Sequence, residues 1–129
     1  MELRTKLYLV DEEGGTFMGI GVYWLLLQIR EQKSLRSGAA QLGISYSKAF
    51  AMVRNLEKSL GIAVLSRKKG GASRDGATLN EFGMRFVDLY GTFVRRAKER
   101  VLAPYDTFRT DLSRLIEETG NNDGHGGTE

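Results

Sequence analysis

The stretch Ser34-Leu35-Arg36-Ser37-Gly38-Ala39-Ala40-Gln41-Leu42-Gly43-Ile44-Ser45-Tyr46-Ser47-Lys48-Ala49-Phe50, continuing to Leu60, decides the fold. Ser34 is placed to cap a short helix through Leu42, and Gly43 is the residue best able to adopt the left-handed conformation that closes it. Ser45 is the next cap. From Tyr46 to Leu60 the residues Ala49, Val53, Leu56 and Leu60 form one apolar stripe, and Gly61 ends the helix. Two helices that cross closely need a small residue on the first, a glycine at the turn and apolar residues on the inner side of the second. Ala39, Gly43, Ile44 and Ala49 meet those demands, so the unit reads as a helix-turn-helix.

The outer side of the second helix of this unit carries Ser47, Ala51, Arg54, Asn55 and Lys58, with Lys48 beside them and no acid on the stripe. Such donors suit base edges and phosphates. On an isolated helix they would be an ordinary solvated face; after a helix-turn-helix turn they mark a recognition helix. Ser45 and Tyr46 open that helix, and Tyr46 either reaches a groove or packs under the turn. Arg54 and Asn55 are the candidate base readers.

After Gly61, the β-prone Ile62 to Ser66 and the short Ala77-Thr78-Leu79 flank a segment, Arg67 to Gly76, that is too rich in glycine to be helical. The unit is a hairpin whose tip holds Arg67, Lys68, Lys69 and Arg74 around Gly70 and Gly71. It lacks the Gly-Lys-Ser/Thr ending of a nucleotide-binding loop, and its glycines let the backbone approach a phosphate chain. Directly after a recognition helix, it is a wing.

Outward from this centre, Leu3, Thr5, Leu7 and Leu9 alternate with Arg4, Lys6 and Tyr8 as in a half-buried strand, ended by the turn Asp11-Glu12-Glu13-Gly14-Gly15. A first helix from about Gly19 carries Val22, Leu25, Leu26 and Ile29 on one face. Asn80 caps a long helix with the stripe Phe82, Phe86, Leu89, Phe93, Ala97 and Val101, broken or kinked by Pro104. Tyr105, Phe108, Leu112, Leu115 and Ile116 continue the helical spacing to Thr119-Gly120, after which a disordered tail is expected. The aromatic residues on these stripes, with Trp24 and Phe50, read as core or dimer contacts.

Charge points to the same partner. Between Lys33 and Arg74 nine basic residues face a single acid, Glu57, a net of +8; the rest holds ten basic and fifteen acidic residues, a net of −5. This polarisation suits a polyanion. The 129 residues amount to about one domain, and 41% hydrophobic content suffices for a packed core. With no cysteine, and its one histidine, His125, among tail glycines, the chain offers no thiolate metal site and no histidine-based catalysis. No nucleophile-base set or paired carboxylates appear, so an enzyme is not expected and no cofactor is implied. The longest apolar run, Val22 to Leu27, is far too short to span a bilayer, and the N-terminus has no secretory segment, so a cytoplasmic location without membrane association is expected.

Gly38 to Phe50, the Arg67-to-Gly76 stretch with its paired glycines, and Leu79-Asn80-Glu81-Phe82-Gly83 together resemble the N-terminal winged helix-turn-helix of the ModE-type molybdate-responsive transcriptional regulators, and more distantly the LysR-type domain. The resemblance covers about Leu3 to Val101. Ser73-Arg74-Asp75 stands where that family's wing is richer in glycine, and Asn80 where it has threonine. The resemblance implies double-stranded DNA binding and transcriptional control, as a repressor, with dimerisation through the first helix and the long C-terminal helices. The family's molybdate-binding domains have no counterpart here, so no small-molecule effector is identifiable.

The expectation is a mainly α (α+β) winged helix-turn-helix with an N-terminal strand, a β-hairpin wing and long C-terminal dimerisation helices. Residues 1–79 would bind DNA, 80–119 would form the dimer, and 120–129 would be tail. The competing reading is a winged-helix module for a protein or RNA partner.

Overall fold

The computed structural model describes residues 1–66 and 76–127, with side chains through residue 121. The chain divides into two compact units, Lys6–Val94 and the pair Met1–Thr5 with Arg95–Glu129. The first contains the whole buried core.

Strands β1 (Leu9–Val10) and β2 (Thr16–Met18) pair antiparallel, Leu9 opposite Met18 and Val10 opposite Thr16, with an irregularity between. The Asp11 carboxylate closes their turn by accepting from the amides of Glu13 and Gly15, each at 2.9 Å. This corrects the expected strand from Leu3 to Leu9. Thr5, Leu7 and Leu9 are half-buried, as alternation requires, but among the described residues only Leu9–Val10 of this stretch finds a pairing strand, and Leu3 is exposed. A period-2 burial pattern does not by itself create a ladder.

Helix α1 (Ile20–Gln32) buries Leu25, Leu26 and Ile29 and ends on Lys33 in the left-handed region. Helix α2 (Leu35–Gln41) starts at Ser34, whose hydroxyl accepts from the Ser37 amide at 3.0 Å. The closest approach of α1 and α2 is at Gly38, where a Cβ would sit 2.9 Å from the Ile29 nitrogen. Gly38 is thus the small residue at the α1–α2 crossing, and Ala39, the small residue expected where α2 meets α3, is buried beside it. Gly43 at φ +68° lets the Ile44 amide turn back to the Ala39 carbonyl at 3.1 Å. Helix α3 (Tyr46–Leu60) then starts at Ser45, whose hydroxyl accepts from the Lys48 amide at 3.1 Å, and buries Ala49, Val53 and Leu56.

Among the described residues the expected β-hairpin is reduced to one isolated antiparallel bridge between Leu65 and Leu79, reinforced by the Ser66 amide donating to the Thr78 carbonyl at 2.8 Å. The Leu35 amide donates to the Ala77 carbonyl at 3.0 Å, fastening the start of α2 to the returning segment. Asn80 caps helix α4 (Glu81–Arg100) by accepting from the Gly83 amide at 2.7 Å, while its side-chain nitrogen donates to the Ala63 carbonyl at 2.9 Å. The asparagine thus both starts α4 and ties it to the incoming strand.

Helix α4 does not bury the expected stripe. Its inward residues are Gly83, Val87 and Tyr90, whereas Phe82, Leu89 and Phe93 are exposed and Phe86 is half-buried. The two stripes are offset by one residue, a rotation of about 100° on the helix. The core side is chosen by fit: Gly83 lies against the Val64 carbonyl, where a Cβ would come within 2.3 Å of the oxygen. The Tyr90 ring packs against Tyr23, centroids 5.4 Å apart, and its hydroxyl donates to the Leu7 carbonyl at 3.4 Å. Burial, and then neighbouring Tyr23, raise the pKa of that hydroxyl above its ordinary value.

In the second unit, α5 (Leu102–Gly127) begins after a turn at Val101 and carries Pro104 in its first turn, where no internal hydrogen bond is lost. Spaced acids and bases support it, with Arg109–Asp106 at 3.9 Å and Arg114–Asp111 at 4.0 Å. The helix runs on to Gly127, so the tail expected after Thr119 is helical over most of its length. Between Gly120 and Gly127 there is no proline, and a helix already nucleated propagates at one bond per residue.

Candidate nucleic-acid interface

Helix α3 has two distinct sides. Ala49, Val53 and Leu56 are buried, which fixes the rotation of the helix, and that rotation leaves Ser47, Lys48, Ala51, Arg54, Asn55 and Lys58 exposed, with Ser45 exposed at the cap. The sequence expectation that this polar side faces outward is met for each of these residues. Tyr46 is half-buried against the core, its ring 6.0 Å from that of Phe50. It packs at the turn and also forms the edge of the outer surface.

The only acid in the basic middle of the chain is turned away from this surface. Glu57 is half-buried and its carboxylate accepts from the amides of Val64 and Leu65 at 2.9 and 3.4 Å. It therefore joins the end of α3 to the strand that leads into residues 67–75, and it leaves the stripe cationic. Sequence spacing alone placed Glu57 off the stripe but gave no sign of this hold on the backbone.

Asn55 differs from its neighbours. Its side-chain nitrogen donates to the Thr16 carbonyl at 3.2 Å, so the β1–β2 hairpin and α3 are linked through it. Arg54 lies over the Phe50 ring at 5.8 Å. Arg36, which sequence reasoning passed over, is exposed on α2 with its guanidinium over the Tyr46 ring at 4.7 Å. Only the helix crossing brings Arg36 and Tyr46 together, since they are ten positions apart in the chain. The wing-tip candidates Arg67, Lys68, Lys69, Gly70, Gly71 and Arg74 lie outside the described residues.

Among the described residues no group of histidines or acids could hold a metal ion, and no helix is long and apolar enough to cross a membrane. What the geometry offers is an exposed, donor-rich helix face joined through Glu57 to the segment that leads into residues 67–75.

That arrangement is a winged helix-turn-helix. Residues 24–84 match the sequence model of the bacterial regulatory helix-turn-helix protein, lysR family. Among curated proteins, the transcriptional regulator ModE of Yersinia pestis is 29% identical over 101 residues, which make up 74% of this chain and 38% of that protein. The chain thus spans well under half of that relative's length. Among solved structures, the BenM DNA-binding domain with benA site 1 DNA superposes with a TM-score of 0.51 at 23% identity, over 65% of this chain and 92% of that one. The CbnR DNA-binding domain in its DNA complex gives 0.51 at 21% identity, over 67% and 97%. These likenesses are of fold.

Proposed function

We propose that this protein is a sequence-specific, double-stranded-DNA-binding transcriptional regulator that acts as a homodimer and a repressor. The observation that carries the reading is the exposure of the whole cationic side of α3, while its one acid, Glu57, is held inward by backbone amides. Helix α3 enters the major groove, with Ser45, Tyr46, Ser47, Lys48, Ala51, Arg54, Asn55 and Lys58 facing the duplex. The wing residues Arg67, Lys68, Lys69, Gly70, Gly71 and Arg74 follow the adjacent phosphates. Residues 1–79 bind DNA and 80–119 associate, so the operator is a pseudo-palindrome with half-sites separated by whole helical turns of ~10 bp. The repressor assignment rests on the resemblance to ModE alone.

A gel shift with random duplex at low salt is the first test. Retardation that weakens steeply with salt is expected, and no retardation would favour a protein or RNA partner instead. Two sets of substitutions then separate the contacts. Arg54→Ala is expected to cost ~1 to 3 kcal/mol and to relax preference at particular base positions, read by selection from random DNA. A uniform loss over all sequences would make Arg54 a backbone contact. Lys69→Ala and Arg74→Ala should each lower the salt slope by about one without changing sequence preference. Unchanged slopes in both would remove the wing from the interface.

A further inference from the structure

Asn55 lies on the exposed side of α3, yet its carboxamide is held by a group outside that helix. Its side-chain nitrogen donates to the Thr16 carbonyl at 3.2 Å. A carbonyl oxygen only accepts, so this contact fixes which end of the carboxamide faces the hairpin. The nitrogen must, because a half-turn that exchanged it with Oδ1 would set two oxygens against each other. The acceptor is itself well anchored. Thr16 opens β2, whose Met18 is fully buried, and the Asp11 carboxylate closes the preceding turn through the amides of Glu13 and Gly15.

A carboxamide carries one acceptor oxygen and two N–H donors. With one N–H given to Thr16, Asn55 has one acceptor, Oδ1, and one donor for whatever approaches α3 from outside. In the major groove adenine presents a donor at N6 beside an acceptor at N7, whereas guanine presents two acceptors, O6 and N7. A freely turning asparagine could offer nitrogen to either base; one pinned at its nitrogen meets guanine with oxygen against oxygen. Helical side chains lean toward the N-terminus, so the carboxamide stands over Ala51, one turn earlier on the same exposed side, whose short methyl leaves room for a base edge. We propose that Asn55 reads an adenine of the operator, accepting from N6–H at Oδ1 and donating to N7, and that the Thr16 carbonyl positions it for that choice. The inference rests on the reading of α3 as the helix that enters the major groove, and it adds the base, the edge that is read and the part played by the hairpin.

The test is selection from random DNA with the whole chain, followed by fluorescence anisotropy on the selected duplex. The selected site should contain an adenine whose preference over guanine falls by about 5- to 150-fold in Asn55→Ala, the size of one well-formed bidentate pair, and persists in Arg54→Ala. Asn55→Asp, close in shape but without an N–H, should lose the same preference. Replacing that adenine by 7-deazaadenine, which pairs normally but lacks the N7 acceptor, should weaken the unaltered chain about two- to tenfold and leave Asn55→Ala indifferent. Asp11→Ala, which loosens the turn without touching α3, should narrow the adenine-to-guanine ratio while binding random duplex as before. Thermal melting monitors folding, and the deaza-substituted duplex decides even where a substituted chain melts early, because there the protein is unaltered. Base preferences that all survive Asn55→Ala, a guanine at the position Asn55 controls, or full affinity for the deaza-substituted duplex would each overturn the inference and leave DNA binding standing. An unchanged ratio in Asp11→Ala would overturn the part assigned to Thr16. Failure of the unaltered chain to bind any duplex would defeat both readings.

Discussion

Leu89→Asp is expected to leave a folded chain that no longer self-associates and that binds a two-half-site operator about 10²- to 10⁴-fold more weakly than the unaltered protein. Leu89 is 71% exposed, and it stands on α4 with Phe82, Phe86 and Phe93, spaced at i, i+4, i+7 and i+11. The Phe82 and Phe86 rings stack with centroids 6.2 Å apart, and the row continues through Tyr90 to Phe93. An ordered aromatic surface left open to water by a single chain is costly to hydrate, and the same stripe on a second copy is its simplest complement. A carboxylate at its centre would be desolvated by pairing and tolerated without it. Sedimentation should show the mass fall to that of one chain, while affinity for an isolated half-site changes little. A dimer that survives Leu89→Asp would place the association surface elsewhere.

The second large effect concerns Gly83. Gly83→Ala is expected to destabilise the protein by about 3 kcal/mol, even though alanine in a helix interior is normally worth about 1 kcal/mol over glycine. The added methyl would lie 2.3 Å from the Val64 carbonyl oxygen and 3.3 Å from a Leu79 methyl, and the first of these is backbone that cannot rotate away. Yielding would push α4 from the strands at the wing base and strain the Asn80 cap on the Gly83 amide. Gly21→Ala in α1 meets nothing within 4 Å and serves as the comparison, with a small gain in stability. Thermal unfolding of the two variants gives the result, and a Gly83→Ala midpoint at or above that of the unaltered chain would contradict the packing.

Gly83 also shows why parts of this molecule were hard to read from sequence. The helix-turn-helix was legible because its signals are local: Ser34 and Ser45 cap, Gly43 and Gly61 close, and Ala49, Val53 and Leu56 repeat at helical spacing. In α4 the strongest hydrophobic periodicity marks the outer side, since the inner side contains a glycine that carries no apolar signal and a tyrosine that is amphipathic. The strand expected from Leu3 to Leu9 failed for the complementary reason. Alternation reports which side is buried, but pairing needs a neighbour, and only Leu9–Val10 lies beside Thr16–Met18. At the interface, the outward stripe followed from helix rotation, whereas the roles of Glu57, Asn55 and Arg36 depend on partners 7, 39 and 10 positions away in the chain, and no single-helix pattern contains them.

The hydrogen bond from Asn55 to Thr16 bears on how this domain diversifies. A residue that only inspects the duplex is free to drift as target sites drift, and under the proposed function Arg54 and Ser47 would sit in that position. Asn55 answers to the hairpin as well, so each exchange there trades a new preference against a loosened scaffold. If the proposed function holds, efforts to retarget the protein to other operators should find position 54 permissive and position 55 stubborn, unless Thr16 and its neighbours are redesigned in the same step.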